Sequence, residues 1–364
     1  MAQIIDVDGD AAGAAAEGPS GGGAGGADER VAARSPLRQA LGRPELGALI
    51  GAIALFVFFS LTADAFLRTS SFATVLYSSS TFGIMAVAVA LLMIGGEFDL
   101  SAGVMVTSAS LVAALVSYQL TLNLWVGVAI SLVVTLGIGF LNGLLYVKTG
   151  LPSFIITLGT FFMLRGLNLG VTKATTGDVA TNSVADMDGF EQAKTVFAAQ
   201  PEIFGVNIYI TVFWWLAFIV VATWLLLRTR VGNWIFAVGG AASSARAVGV
   251  PVTRTKIGLF MGVAFAAWFS GMHLLFAFPS VQSGEGVGNE FGYIICAVIG
   301  GCLLTGGYGS AIGAAIGAFI YGMANKGIVY AGWNPDWFYF FLGVLLLIAT
   351  IVNLVVRRRA ETAT

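Results

Sequence analysis

The sequence predicts an all-α polytopic membrane protein with about ten transmembrane segments, some broken or re-entrant, and both termini on the cytoplasmic side. Three observations carry that prediction. Charged residues make up 10% of the 364-residue chain and hydrophobic ones 57%, at a mean hydropathy of +0.89. A soluble domain holds about 25% Asp, Glu, Lys and Arg, so most of this surface faces something other than water. Apolar runs of membrane length recur along the chain, and its cations gather in alternate loops.

Residues 1–46 read as a disordered cytoplasmic tail, rich in Ala, Gly, Asp, Ser and Pro, with GPSGGGAGGA from Gly18 to Ala27. The first apolar run begins only near Leu46, too late for a secretory signal. Ala63-Asp64-Ala65 imitates a cleavage site, but the run reads as an uncleaved first helix. Apolar stretches follow at 47–66, 73–95, 100–119, 122–146, 151–172, 207–227, 257–279, 291–306, 309–332 and 337–356. The stretch at 291–306 is short, and 151–172 opens on Leu151-Pro152 and holds Arg165. Such interrupted segments are candidates for broken or re-entrant helices, which survive only inside protein or beside a water-filled cavity. Residues 357–364 read as a second cytoplasmic tail.

With the N-terminus inside, 13 of the 18 Lys and Arg fall on the cytoplasmic side, five of them in the loop 228–256. The loop 173–206 falls outside and carries Asp178, Asp186, Asp188, Glu191 and Glu202. Its acids suit a soluble partner's surface. Gly309, Gly313 and Gly317 repeat every fourth residue, as do Gly139 and Gly143, which marks faces for close helix crossing. Cys296 and Cys302 lie six apart in one apolar stretch, on different helix faces, and read as inert buried thiols. His273 sits in an apolar run with no acidic partner in its own segment, and reads as structural or interfacial.

A net charge of -1 offers no footprint for nucleic acid. The chain has no G-x-x-x-x-G-K-[ST] phosphate loop, no HExxH and no nucleophile elbow. Transport rather than chemistry is the default. Two stretches are more specific. In IGGEFDLSAG (Ile94–Gly103) a glycine pair breaks the helix, and Asp99 and Ser101 are placed to cap the next one. Ile299-Gly300-Gly301 echoes it weakly, hinting at an internal repeat. The loop 228–256 holds a short helical stretch, Ala241 to Val248, between Gly239-Gly240 and Gly249-Val250-Pro251. Eight residues are too few for a helix to persist alone in water, so the protein or a partner must hold it.

GGEFDLSAG, NGLLYVKTGLPSFIITLGTFFMLRG (Asn142–Gly166), GNWIFAVGGAASSARAVGV (Gly232–Val250) and AVIGGCLLTGGYGSAIGAAIGA (Ala297–Ala318) occur in that order. Together they resemble the ribose/xylose-type membrane permeases of ATP-binding-cassette sugar importers. The resemblance implies a second permease copy, a cytoplasmic ATPase that holds the ATP and Mg, no cofactor in this chain, and an external sugar-binding protein. It further implies a coupling segment made of Gly239, Gly240, Ala241, Ala242, Ser243, Ser244, Ala245, Arg246, Ala247, Val248 and Gly249. Family members carry Asn-Glu after the glycine pair; Ala241 and Ala242 stand there in this chain, which alters the polar contacts to the ATPase. Asp99, Asn142, Ser153 and Thr157 are candidate polar groups of the substrate pathway, and Phe154 and Phe161 candidate stacking faces. An ion-coupled secondary transporter, or a permease for branched-chain amino acids or nucleosides, is the alternative.

Overall fold

A computed structural model describes residues 44–203 and 205–362, so the tail expected over 1–46 lies outside the described residues as far as 43. The chain runs α1 (Pro44–Thr62), α2 (Thr69–Ile94), α3 (Ala102–Gln119), α4 (Leu124–Thr149), α5 (Ser153–Thr176) and α6 (Phe190–Phe197). A two-stranded ribbon, β1 (Glu202–Ile203) with β2 (Val206–Asn207), leads to α7 (Thr211–Arg228), α8 (Arg230–Ala247) and α9 (Val252–Ala277). Then come α10 (Asn289–Ile299), α11 (Ala311–Tyr330) and α12 (Phe338–Thr362). Among the described residues nine helices are long and apolar enough to cross a membrane: all but α6, α8 and α10. The protein is an all-α multi-pass membrane protein.

Burial sorts these helices into two shells. In α2, α3, α9 and α11 between 61 and 78% of the residues of the most apolar stretch are buried, against 11 to 33% in α1, α4, α5, α7 and α12. The inner helices are rich in small residues, such as Ser78, Ser79, Ser80, Gly83 and Ala86 on α2. Lipid tails are as apolar as leucine, so membrane helices gain by packing closely rather than by hiding from solvent. The outer helices present Leu61, Val133 and Val220 to their surroundings. The glycine spacings act as expected at Gly139, Gly143, Gly313 and Gly317, whereas Gly309 lies before α11 and is not on its face. A Cβ on Gly143 would come within 2.8 Å of the Ile257 Cα, which brings α4 onto α9. One on Gly317 would come within 2.9 Å of the Cys296 carbonyl carbon, which brings α11 onto α10.

The expected segments differ from the structure in four places. Residues 151–172 are not broken: Pro152 precedes a continuous α5 of 24 residues, and Arg165 points outward. Proline is harmless there because the first turn of a helix has no acceptor for its missing N–H. Of the stretch 291–306 only 291–299 is helical, within the eleven-residue α10, and Cys302 lies in the turn beyond it, free and buried. The loop 228–256 is largely helical: α8 begins at Arg230, capped by the Thr229 hydroxyl, and α9 already begins at Val252. Finally, α12 continues past 356 to Thr362.

Both glycine pairs end their helices in one way. After α2, the Gly95 N–H donates to Leu91 O, that of Gly96 to Met93 O and that of Glu97 to Leu92 O. After α10, those of Gly300, Gly301 and Cys302 donate to Cys296, Val298 and Ala297. Gly96 and Gly301 have φ +85° and +90°, the left-handed backbone of this helix stop, where glycine has no Cβ to strain.

At the opposite end of the bundle the segment between α5 and α7 folds into a cap. The Thr181 N–H donates to Val281 O, that of Leu124 to Asp188 O, and Ala180 bridges to Gln282. Phe190 and Phe197 of α6 turn inward onto Phe276 of α9, while Asp178, Asp186, Asp188, Glu191 and Glu202 are all exposed.

Candidate functional site

The eleven residues expected to form a coupling segment occupy the end of α8, from Gly239 to Ala247, and the two positions after it. The helix is kinked at Ala241, whose φ of -157° and ψ of 91° are not helical. Beyond the kink a short turn of helix rests on a satellite cluster of Val238, Ala245 and Val252, apart from the main core. Gly249 has φ +86°, the left-handed stop expected from its place after the helix. Ala241, Ser243, Ser244, Arg246, Ala247 and Gly249 are exposed, and Val248 is 80% exposed. An apolar side chain so far out of the core, beside an arginine, suits a partner surface better than water.

Just before the kink, three backbones meet. A Cβ on Gly239 would collide with the Ile94 carbonyl oxygen and come within 2.7 Å of the Gly307 amide nitrogen. The Gly307 N–H itself donates to Ile94 O at 2.8 Å. A Cβ on Gly306 would lie 2.6 Å from the Gly96 Cα and 2.8 Å from the Gly239 carbonyl oxygen. Thus α8 touches, through backbone alone, both the break after α2 and the glycine-rich chain that leads into α11. No larger residue permits that approach.

The break after α2 has further bonds. Lys256, expected in a loop, is a buried residue of α9 that makes an ion pair with buried Glu97. Its ammonium also donates to Gly95 O at 2.7 Å and lies 5.4 Å from the Tyr146 ring centre. Neither Asp99 nor Ser101 caps α3 through its side chain as expected: the Asp99 carboxylate accepts from the N–H and hydroxyl of Ser101, two residues on. The Asn142 amide donates to the Ser101 hydroxyl at 3.1 Å and accepts from Thr160 at 2.7 Å. Ser153 and Thr157 accept the Phe98 and Leu100 N–H groups at 3.2 and 3.1 Å. So Asp99, Asn142, Ser153 and Thr157 come together, in a buried network whose polar atoms bond one another, the second Asp99 carboxylate oxygen excepted. Phe161 is buried on α5, and Phe154 is 53% exposed on the outer face of the same helix.

A separate cavity of about 310 Å³ lies among the inner helices, and none of those six residues lines it. Tyr77, Ser78, Thr81 and Phe82 of α2 face Thr107 of α3, Ser270 and His273 of α9, and Asn325 and Lys326 of α11. Glu285 enters from the segment before α10, Asn289 and Tyr293 from α10 itself, and Thr211 from α7. The His273 Nδ1 stands 2.9 Å from Phe197 O, which can only accept, so this nitrogen carries the proton. Nε2 then accepts from the Tyr77 hydroxyl at 3.0 Å in the neutral ring. Tyr77 stacks on Tyr209, and Phe82 on Tyr321, with ring centres 3.8 and 4.1 Å apart. The Thr107 and Ser270 hydroxyls are buried in the lining with no partner among the described residues. Burial pushes the Glu285 carboxyl above the ordinary carboxylate range, and neither Glu285 nor Lys326 takes part in an ion pair among the described residues.

This arrangement is a polar, partly aromatic chamber inside a helical bundle, with a protruding segment wired by backbone to its two broken helices. Residues 71–350 match the family described as branched-chain amino acid transport system / permease component. The chain belongs to this permease family. It is 32% identical over 319 residues to the "Probable ABC transporter permease protein YphD" of Escherichia coli K12, covering 88% of this chain and 92% of that protein. It is 28% identical to the ribose import permease protein RbsC of that strain, over 85% of this chain and 93% of RbsC. It is 27% identical to the xylose transport system permease protein XylH, also of that strain, over 85% and 91% of the two chains. No solved structure matches.

Sequence reasoning did not assemble the chamber of this permease. Lys326 and His273 were visible as ionisable groups inside apolar runs, which is the usual mark of a functional site in a membrane. Tyr77, Ser78 and Thr81, or Ser270 and His273, share a helix face at short spacing. Nothing in a single chain, however, says that six separate helices turn those faces toward one another.

Proposed function

We propose that the permease is the membrane subunit of an ATP-binding-cassette importer for a monosaccharide or related polyol in the cell membrane. The chamber carries this reading. At about 310 Å³ it sits at the low end of small-ligand pockets, which run from about 300 to 1,000 Å³. Its unbonded hydroxyls, amides and flat aromatic faces suit a ligand that is hydroxylated on its edges and apolar on its faces. The sugar names carried by several relatives point the same way.

In this reading the cation-rich end with α8 faces the cytoplasm, and the acidic cap over α9 receives a sugar-loaded binding protein. ATP and Mg are held by a separate ATPase that grips residues 239–249 as its two copies close, and a second permease copy completes the assembly. Movement of α8 reaches the two breaks through the contact of Gly239 with Ile94 and Gly307, and opens the chamber to alternating sides. The ligated set around Asp99, Asn142, Ser153 and Thr157 holds the first break in shape; Phe154 and Phe161 flank it on α5. Glu285 and Lys326 would also suit the two ends of a zwitterion, which favours a branched-chain amino acid as the second reading.

The test is uptake in proteoliposomes that hold the permease with the ATPase and binding protein encoded beside it, using labelled pentoses, hexoses and leucine. ATP-dependent accumulation of one monosaccharide is expected. Uptake of leucine alone selects the second reading, and sugar uptake without the ATPase makes the protein a secondary transporter.

A further inference from the structure

A second and larger cavity, of about 670 Å³, opens on the side of the bundle between α7 and α9. Its walls are apolar: Trp214, Phe218, Val221 and Leu225 on α7, and Phe265 and Phe269 on α9. Gly258 and Gly262 of α9 lie exposed on its floor, and an added Cβ at either would meet open space. The groove has a direction. At one end Trp214 donates its indole N–H to Val196 O in the cap. At the other end stand Trp234 and Arg254, beside the turn that joins α7 to α8. Arg254 is exposed, and among the described residues no acid pairs with it and Trp234 donates to nothing.

We propose that this groove binds one acyl chain of an anionic membrane phospholipid, with its phosphate on Arg254. The occupant follows from shape and charge together. From Trp214 to Leu225 the groove follows eleven residues of α7, about 17 Å at 1.5 Å per residue. Half of a bilayer's hydrocarbon core is about 15 Å thick. The walls therefore match the length of one acyl chain, laid along α7 from the Arg254 end toward the cap. The single cation at their end stands where a phosphate would lie, and the planar guanidinium fits phosphate oxygens in pairs. Trp234 beside it is an amphipathic ring of the kind that settles at headgroup level. Residues Ala88 and Leu91 of α2 form part of the inner wall, so a chain seated here rests directly on the helix that ends at Ile94.

Native mass spectrometry of the purified full-length permease, equilibrated with equal amounts of dioleoyl phosphatidylglycerol and dioleoyl phosphatidylcholine, tests this. One retained phosphatidylglycerol per chain is expected, preferred about fivefold, the preference that one cation confers at an anionic surface. Arg254→Gln should bring the two lipids level, while Arg246→Gln, away from the groove, keeps the preference. Gly262→Leu should lower retention of both. Equal retention of the two lipids by the unaltered permease overturns the proposal, leaving only boundary lipid. So does loss of retention when two permeases associate, which would make a second copy the occupant. Arg254 is an exposed residue, so its variant reads out even where Gly262→Leu does not fold.

Discussion

The two glycine breaks share a backbone but not a setting. Both end a helix with the same three hydrogen bonds, and both place a left-handed glycine in the second position. After the first, side chains take over: Glu97 meets Lys256, Asp99 holds Ser101, and Ser153 and Thr157 accept the Phe98 and Leu100 amides. After the second comes a run with Gly306, Gly307 and Gly309, all at positive φ, until Ser310 caps α11. Many of its contacts are backbone on backbone. The first break is held by side-chain bonds, and the second by close backbone approach and backbone hydrogen bonds such as that of the Gly307 N–H to Ile94 O. One break is tied by side chains and the other by backbone, and α8 touches both.

The largest effect should come from that shared contact. Gly239→Val would drive a branched side chain into the Ile94 carbonyl and the Gly307 amide, which are backbone and cannot rotate aside. Overpacking of this kind costs about 1–3 kcal/mol or more. Uptake should fall at least about tenfold, or the protein should not accumulate. Gly137→Val on α4 is the control, because a Cβ there meets nothing within 4 Å; its uptake should stay within about twofold of the parent. If the two variants behave alike in the uptake assay, α8 is not read through Gly239.

The lock on the first break comes next. Lys256→Met leaves Glu97 buried without its cation, a change that costs about 3–5 kcal/mol. Adding Glu97→Gln should return much of that, because the double variant buries no lone charge. Thermal unfolding of the purified permease measures both. A Lys256→Met protein as stable as the parent would mean that side chains do not secure this break.

Much of this comparison was legible in the sequence, and its limits are physical. The Ile-Gly-Gly echo, the left-handed Gly249 and the four-residue glycine spacings all report local backbone needs, which a single chain states directly. The fixed character of the first break was not legible, since Lys256 pairs with a residue 159 positions away. Composition placed that lysine in a basic loop because a charged residue next to Arg254 ordinarily marks one. The chamber escaped for the same reason: it exists only where six helices converge.

A third variant pair addresses what moves α8. Arg246→Glu reverses an exposed charge, and Gly249→Val forces a β-branched residue to φ +86°. Loss of about 2–3 kcal/mol in docking would weaken ATPase association roughly 30- to 150-fold. Membrane insertion and the folded bundle should be unaffected, because both residues lie outside the core. Co-purification of the ATPase is the measurement, and full retention by both variants would reduce this segment to a connector.

The smallest effect separates a chamber that binds solute from one that merely fills space. The Ser270 hydroxyl is buried without a partner, so Ser270→Ala removes an unsatisfied group and should leave stability unchanged or slightly raised. A hydroxyl that waits for a ligand behaves differently in transport. Losing one hydrogen bond worth about 0.5–1.5 kcal/mol should raise the sugar concentration at half-maximal uptake about two- to tenfold. Phe161→Leu makes the counterpart, since Phe161 is buried on α5 away from the chamber. It should lower stability modestly and leave that concentration where it was. The contrast matters because the chamber's walls come from both halves of the comparison: α2 before the first break, and α10 and α11 on either side of the second. A solute bound by Ser270 and Thr107 would feel the second break move against the first. If Ser270→Ala alters neither stability nor half-saturation, the solute passes elsewhere, and the two breaks are joined only by packing.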